Sequence, residues 1–135
     1  MSDFSTNVLI VDDDPAVLFL HKVIIKGGKL HPAPLTFADP EAALTHILDH
    51  DSPLSRMLIF LDINMPRLSG WELLDQLESQ VNHADVKVIM VTSSLDKSDR
   101  VKAKEYRLIL DFWEKPLTDE NISELIEKIG DWIGG

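Results

Sequence analysis

The chain has 135 residues, a length that fits one hydrophobic core, and its 44% hydrophobic and 27% charged residues belong to an ordinary folded domain, not a disordered one. Its 13 Lys and Arg against 23 Asp and Glu leave a net charge of -10, which repels phosphate backbones and anionic lipid surfaces, so neither nucleic acid nor membrane is expected as a partner. Without cysteine there is no disulfide, thiolate metal site or thiol chemistry; no apolar run nears the roughly 20 residues that span a bilayer, and Met1-Ser2-Asp3-Phe4 lacks a secretion signal, so the expected location is cytoplasmic.

Val8-Leu9-Ile10-Val11 is a short β-branched run that stops at Asp12, Asp13 and Asp14, and it predicts a strand buried on both faces. Asp14-Pro15 opens a helix, with Asp14 as N-cap and Pro15 at the first helical position. Val17, Leu20, Val23 and Ile24 are its predicted apolar face; Gly27-Gly28 ends it, and two prolines keep Leu30 to Pro34 in a loop. Leu35-Thr36-Phe37-Ala38 predicts a weak second strand, and Asp39-Pro40 caps a helix through Ala43, Leu44, Ile47 and Leu48. Met57 to Leu61 predicts the third strand, ending at Asp62, followed by helical spacing at Trp71, Leu74 and Leu77. Val86 to Val91 is the fourth predicted strand, ending at Thr92-Ser93-Ser94. A polar helix over Lys97 to Tyr106 and a fifth strand over Leu108 to Trp113 follow. Thr118, Asp119 and Glu120 open a last helix whose face is Ile122, Leu125, Ile126, Ile129 and Ile133.

Five mostly apolar strands alternating with five helices call for a parallel sheet covered on both faces, an α/β doubly wound three-layer sandwich. No repeat, low-complexity stretch or linker interrupts it, so a single domain over residues 1–135, with a core of about 7–133, is expected. In such sheets ligands bind outside the carboxyl ends of the strands. The residues there are Asp12, Asp13 and Asp14 after the first strand, Asp62 and Asn64 after the third, Thr92 after the fourth, and Lys115-Pro116 after the fifth. Crowded carboxylates repel one another unless a cation sits among them, and Mg2+ suits one or two carboxylates with water and a phosphate oxygen. With charge neutralised by the ion and by Lys115, Asp62 is placed to attack a phosphoryl group and become an aspartyl phosphate. Lys115 would then hold the phosphoryl oxygens and the Thr92 hydroxyl would donate to one of them.

The set Asp12-Asp13, Asp62-Ile63-Asn64-Met65-Pro66 with Gly70, Thr92-Ser93 and Lys115-Pro116 resembles the receiver domain of bacterial two-component response regulators, in its stand-alone, chemotaxis-like form. The resemblance runs from about Val8 to the last helix and implies the flavodoxin-like (βα)5 fold with strand order 2-1-3-4-5. It implies Asp62 as phosphoacceptor, Asp12 and Asp13 as the acidic pair for Mg2+, and Asn64 as donor of a backbone carbonyl to the ion. It further implies Lys115 as the phosphate-binding lysine, Thr92 and Phe112 as switch residues, and a cis bond between Lys115 and Pro116. The implied donor is a histidine kinase or phosphotransfer protein. The implied output is binding of a protein partner, or of a second copy, on the face of the fourth helix, fifth strand and fifth helix. Leu95, Phe112 and Glu114 should border that contact, with Trp113 packed inside.

Some residues depart from the family pattern. Ser69 stands where Asp is usual before the motif glycine, Leu108-Ile109 replaces a small pair before the fifth strand, Ser94 is small at a position that tunes dephosphorylation, and the loop from Gly27 to Pro34 is long. Two other functions fit parts of the sequence. Val-Asp12-Asp13-Asp14 resembles the first motif of haloacid-dehalogenase-type phosphatases, but Ala16 breaks that motif and Asp62 to Pro66 would go unexplained. A receiver-like scaffold without phosphorylation would not need Asp12, Asp13, Asp62, Thr92 and Lys115 together. Asp14 is expected to be a cap only, Trp71, Trp113 and Trp132 to be packing residues, and His46 and His50, four apart, to lack the third ligand a zinc site needs.

Overall fold

The computed structural model describes residues 4–93 and 96–134. Strands β1 (Ser5–Val11), β2 (Leu35–Phe37), β3 (Ser55–Asp62), β4 (Asp85–Thr92) and β5 (Ile109–Glu114) alternate with helices α1 (Pro15–Gly27), α2 (Pro40–Asp49), α3 (Gly70–Gln80), α4 (Lys97–Ala103) and α5 (Asp119–Gly134). All strand pairs are parallel, in the order β2-β1-β3-β4-β5. The chain therefore reverses its direction of travel across the sheet between β1 and β3, and a crevice opens beyond their carboxyl ends at such a switch point. Among the described residues no helix is long and apolar enough to cross a membrane.

The alternating faces of the strands build two cores. On one side Leu9, Val11, Ile59 and Leu61 meet α2 through Ala43 and Ile47, α3 through Trp71, Leu74 and Leu77, and α4 through Ala103. On the other, Val8, Ile10, Leu58 and Phe60 meet Leu18 and Ile25 of α1 and Ile122, Leu125 and Ile129 of α5. The β-branched and leucine-rich strands are buried on both faces because a helix layer covers each one.

Three local expectations change. The buried stripe of α1 is Leu18, His21 and Ile25, whereas Leu20 and Val23 are 43% and 51% exposed. This helix is apolar almost all the way round, so its periodicity does not determine which side faces the sheet. Helix α4 stops at Ala103, its one buried residue, instead of running to Tyr106, because a polar helix with so little to bury has no reason to extend. Strand β5 starts at Ile109, and its register to β4 slips between Val88 and Ile89, so Leu110 is an extra, bulged residue. The bulge shifts the alternation by one place. Ile109 and Phe112 consequently share the α3 side, while Leu110 and Trp113 share the α5 side.

Candidate functional site

The parallel register brings Val11, Leu61 and Met90 into line, so the residues that follow them share one edge of the sheet. Asp12 and Asp62 are buried there and Asp13 is exposed. One carboxylate oxygen from each of the three lies within 4.8 Å of the others, the one such metal-capable group among the described residues. Lys115 extends from the end of β5 into this cluster, with Nζ 2.7 Å from Asp12 Oδ2 and 3.0 Å from Asp62 Oδ1. Its backbone N–H donates to the Thr92 carbonyl at 2.7 Å, which anchors the end of β5 to the end of β4. Thr92 is buried beside the cluster, and Asn64 is exposed two residues after Asp62. The Lys115–Pro116 bond is cis.

The electrostatics follow from that geometry. Burial pushes the Asp62 carboxyl above its usual pKa, with Asp12 adding to the effect; Lys115 and the Asn64 backbone N–H oppose it. Two carboxylates hold the Lys115 ammonium above its usual value, against the effect of its burial. Three carboxylates sharing one ammonium leave the pocket with surplus negative charge. An all-oxygen donor set of this kind fits a hard divalent cation.

Local sequence explains the placement of each group. Asp14 accepts from Ala16 N at 2.9 Å and is the N-cap of α1, while its own N–H donates to Asp12 Oδ1, also at 2.9 Å. Asp14 is thus a cap that also orients Asp12. Ser69 caps α3 through a reciprocal pair with Glu72, so the departure at this position keeps the helix start well formed. Gly70 lies against the backbone of Asp62 and Ile63, where an added Cβ would collide with the Asp62 carbonyl, and its N–H donates to Ile63 O at 2.8 Å. Gly70→Ala is accordingly expected to destabilise the fold by about 1–3 kcal/mol, as forced overpacking does, measured by urea unfolding. An unchanged midpoint would mean that the loop yields freely.

Phe112 is half-buried, with its ring 6.5 Å from Trp71, which in turn stacks on Tyr106 at 5.5 Å; Trp113 packs on the opposite face, 6.0 Å from Phe60. Glu114 is exposed beside them, and Leu95 and Ser94 lie outside the described residues. His46 and His50 stack on each other at 4.1 Å and join no group of three possible ligands among the described residues. Sequence analysis missed His21, which is buried on α1 and bonded to the segment after Lys115. The one available signal was a histidine four residues before the buried Ile25, and the misassigned face of α1 concealed it.

The profile of the response regulator receiver domain matches residues 8–127. The two-component response regulator ARR22 of Arabidopsis thaliana is 35% identical over 127 residues, which cover 93% of this chain and 84% of that protein. The transcriptional regulatory protein MalR of Bacillus subtilis is 40% identical over 106 residues, which cover 74% of this chain and 42% of that longer protein. A crystal structure of a two-component response regulator from Cytophaga hutchinsonii superposes with a TM-score of 0.78 at 28% identity, covering 95% of this chain and 98% of that one. Sequence, fold and clustered acids agree, and the chain belongs to the response regulator receiver domains of two-component systems.

Proposed function

We propose that Asp62 accepts a phosphoryl group from a histidine kinase or a phosphotransfer protein and that the resulting aspartyl phosphate switches protein binding in the cytoplasm. The observation that carries this reading is the Lys115 ammonium held between Asp12 and Asp62 at 2.7 and 3.0 Å, beside an exposed third acid, Asp13. An Asp62 oxygen forms the new bond to phosphorus as the donor's bond to phosphorus breaks. Lys115 stabilises charge on the phosphoryl oxygens, and the Thr92 hydroxyl donates to one of them. Mg2+, held by Asp12, Asp13, Asp62 and the Asn64 carbonyl, would supply the positive charge that lets an anionic donor approach an anionic acceptor. Incubation with Mg2+ and acetyl phosphate, followed by intact mass measurement, tests the reading. A base-labile gain of one phosphoryl group is expected, and a chain that gains none contradicts it.

The donor has a surface to use. Phe19 is 72% exposed and, with Leu20, Val23 and Ala16, forms an apolar strip on α1 that begins just after Asp13. A protein that delivers phosphate to Asp62 must cover this rim, and exposed apolar clusters mark such contacts. Phe19→Glu is expected to slow transfer from a protein donor by about tenfold or more, the scale of a lost interface anchor, while leaving the acetyl phosphate rate unchanged. Equal loss with both donors would place the effect in the site instead.

Output is assigned to the face of α4, β5 and α5: Glu114 pairs with Thr92 in the register of β4 and β5 and directly precedes Lys115, and Phe112 stands two residues before it on β5. Movement of Thr92 toward a phosphoryl group would give Phe112 a second packing, so that one element has two states. Phosphorylation should then change sedimentation, through a homodimer, or change binding to a downstream protein. Phe112→Asp should remove either response while Asp62 is still labelled; a full response in that variant moves the output surface elsewhere.

A further inference from the structure

We infer that His21 is a positioning residue for phosphotransfer, acting through the segment after β5 to hold Lys115 at the acceptor; this inference rests on the reading of Asp62 as phosphoacceptor. His21 is 2% exposed, on the stripe of α1 between Leu18 and Ile25. Its Nε2 accepts a hydrogen bond at 3.3 Å from the N–H of Leu117, a buried residue 96 positions further along the chain. Leu117 lies two residues beyond Lys115, and Pro116 between them has no N–H to offer.

The N–H groups of this connection are therefore shared among three elements. That of Lys115 donates to Thr92 O of β4, that of Leu117 to His21 of α1, and that of Thr118 to Asn121 Oδ1 of α5 at 3.1 Å. Lys115 is thus held on one side by β4 and on the other by His21. With both ties in place its ammonium meets Asp12 and Asp62 together.

Packing alone would not select an imidazole here. His21 lies on the face of α1 that packs through Leu18 and Ile25 into the apolar core shared with Leu117 and Ile122, where an aliphatic residue would not carry the cost of burying a polar ring. The cost is offset by satisfying a buried backbone donor that would otherwise be left without a partner. An accepting Nε2 also fixes the tautomer, with the proton on Nδ1. Burial holds the His21 pKa below its usual value and Lys115 acts in the same direction, against Asp12, so the ring stays neutral and able to accept.

The test compares His21→Gln with His21→Leu in the full chain. Gln places an accepting oxygen close to where Nε2 stands; Leu fills the space but cannot accept. In metal-free protein the Leu117 amide should be protected from hydrogen exchange in the parent and in His21→Gln, and exchange about tenfold faster or more in His21→Leu. At saturating Mg2+, labelling of Asp62 by acetyl phosphate should slow by about tenfold in His21→Leu, the scale of a modest misplacement of a catalytic group, and recover to within about twofold in His21→Gln. The Mg2+ concentration for half-maximal rate should not move in either variant. Should His21→Leu be too unstable to assay, His21→Asn, whose amide is too short to reach Leu117, serves as the broken tie. Parent-like labelling in the broken-tie variant, or equal slowing in His21→Gln, overturns the inference while the acceptor reading stands. A parent chain that is not labelled at all overturns the acceptor reading, and this inference with it.

Discussion

Asp62→Asn is expected to reduce phosphoryl labelling to background while the fold stays intact, because the amide has the shape of the carboxylate but is a poor nucleophile. The same substitution should change stability in a characteristic way. Burial raises the Asp62 pKa in the folded chain, so folding favours its protonated form. Its contribution to stability is therefore full in acid, below the ordinary aspartate pKa, and is lost as pH rises through the raised value. Metal-free Asp62→Asn should lack that loss and be more stable than the parent at neutral pH, where the parent holds the Asp12 and Asp62 carboxylates around one ammonium. Urea unfolding at two pH values measures this. A variant less stable than the parent at neutral pH would mean that the attraction of Lys115 outweighs the cost of burying the charge.

Asp13→Ala should have the second largest effect. Asp13 is exposed, so its removal opens no cavity and leaves no buried partner unpaired, and its carboxylate is one of the three that converge within 4.8 Å. Labelling by acetyl phosphate is expected to fall by about 100-fold at low millimolar Mg2+, since loss of even an indirect contact around a metal costs about 10- to 100-fold, and to recover partly as Mg2+ is raised. The parent should gain about 2.7 kcal/mol of stability when Mg2+ is a hundredfold above its dissociation constant, by mass action. Asp13→Ala should gain far less at the same concentration. A parent-like rate and a parent-like Mg2+ gain in the variant would remove Asp13 from the site.

The elements whose ends are set by neighbouring residues are legible in the sequence. β1 and β3 are apolar runs that stop at acids, and Asp14-Pro15 and Asp39-Pro40 are cap and first-turn pairs, so strand ends and helix starts could be read locally. Because a parallel sheet puts all its strand ends on one edge, the residues at those ends could be grouped into one site. What escaped depends on contacts between distant segments. The face of α1 was misassigned at Leu20 and Val23, though Ile24 does pack against the core, because Val17, Leu18, Phe19, Leu20, Val23, Ile24 and Ile25 leave several equally apolar faces, and only the sheet and α5 select among them. The bulge at Leu110 is set by pairing with β4 and has no glycine to announce it. His21 looks like one more polar residue on a helix until Leu117 arrives across the fold to bond with it.

The most direct measurement is chemical trapping of the phosphorylated chain. Borohydride reduces an aspartyl phosphate to homoserine, and peptide mapping after reaction with acetyl phosphate and Mg2+ then reads the acceptor directly. The account predicts homoserine at position 62 and at neither 12 nor 13. Homoserine at another aspartate, or none in a chain whose mass shows a bound phosphoryl group, would contradict it.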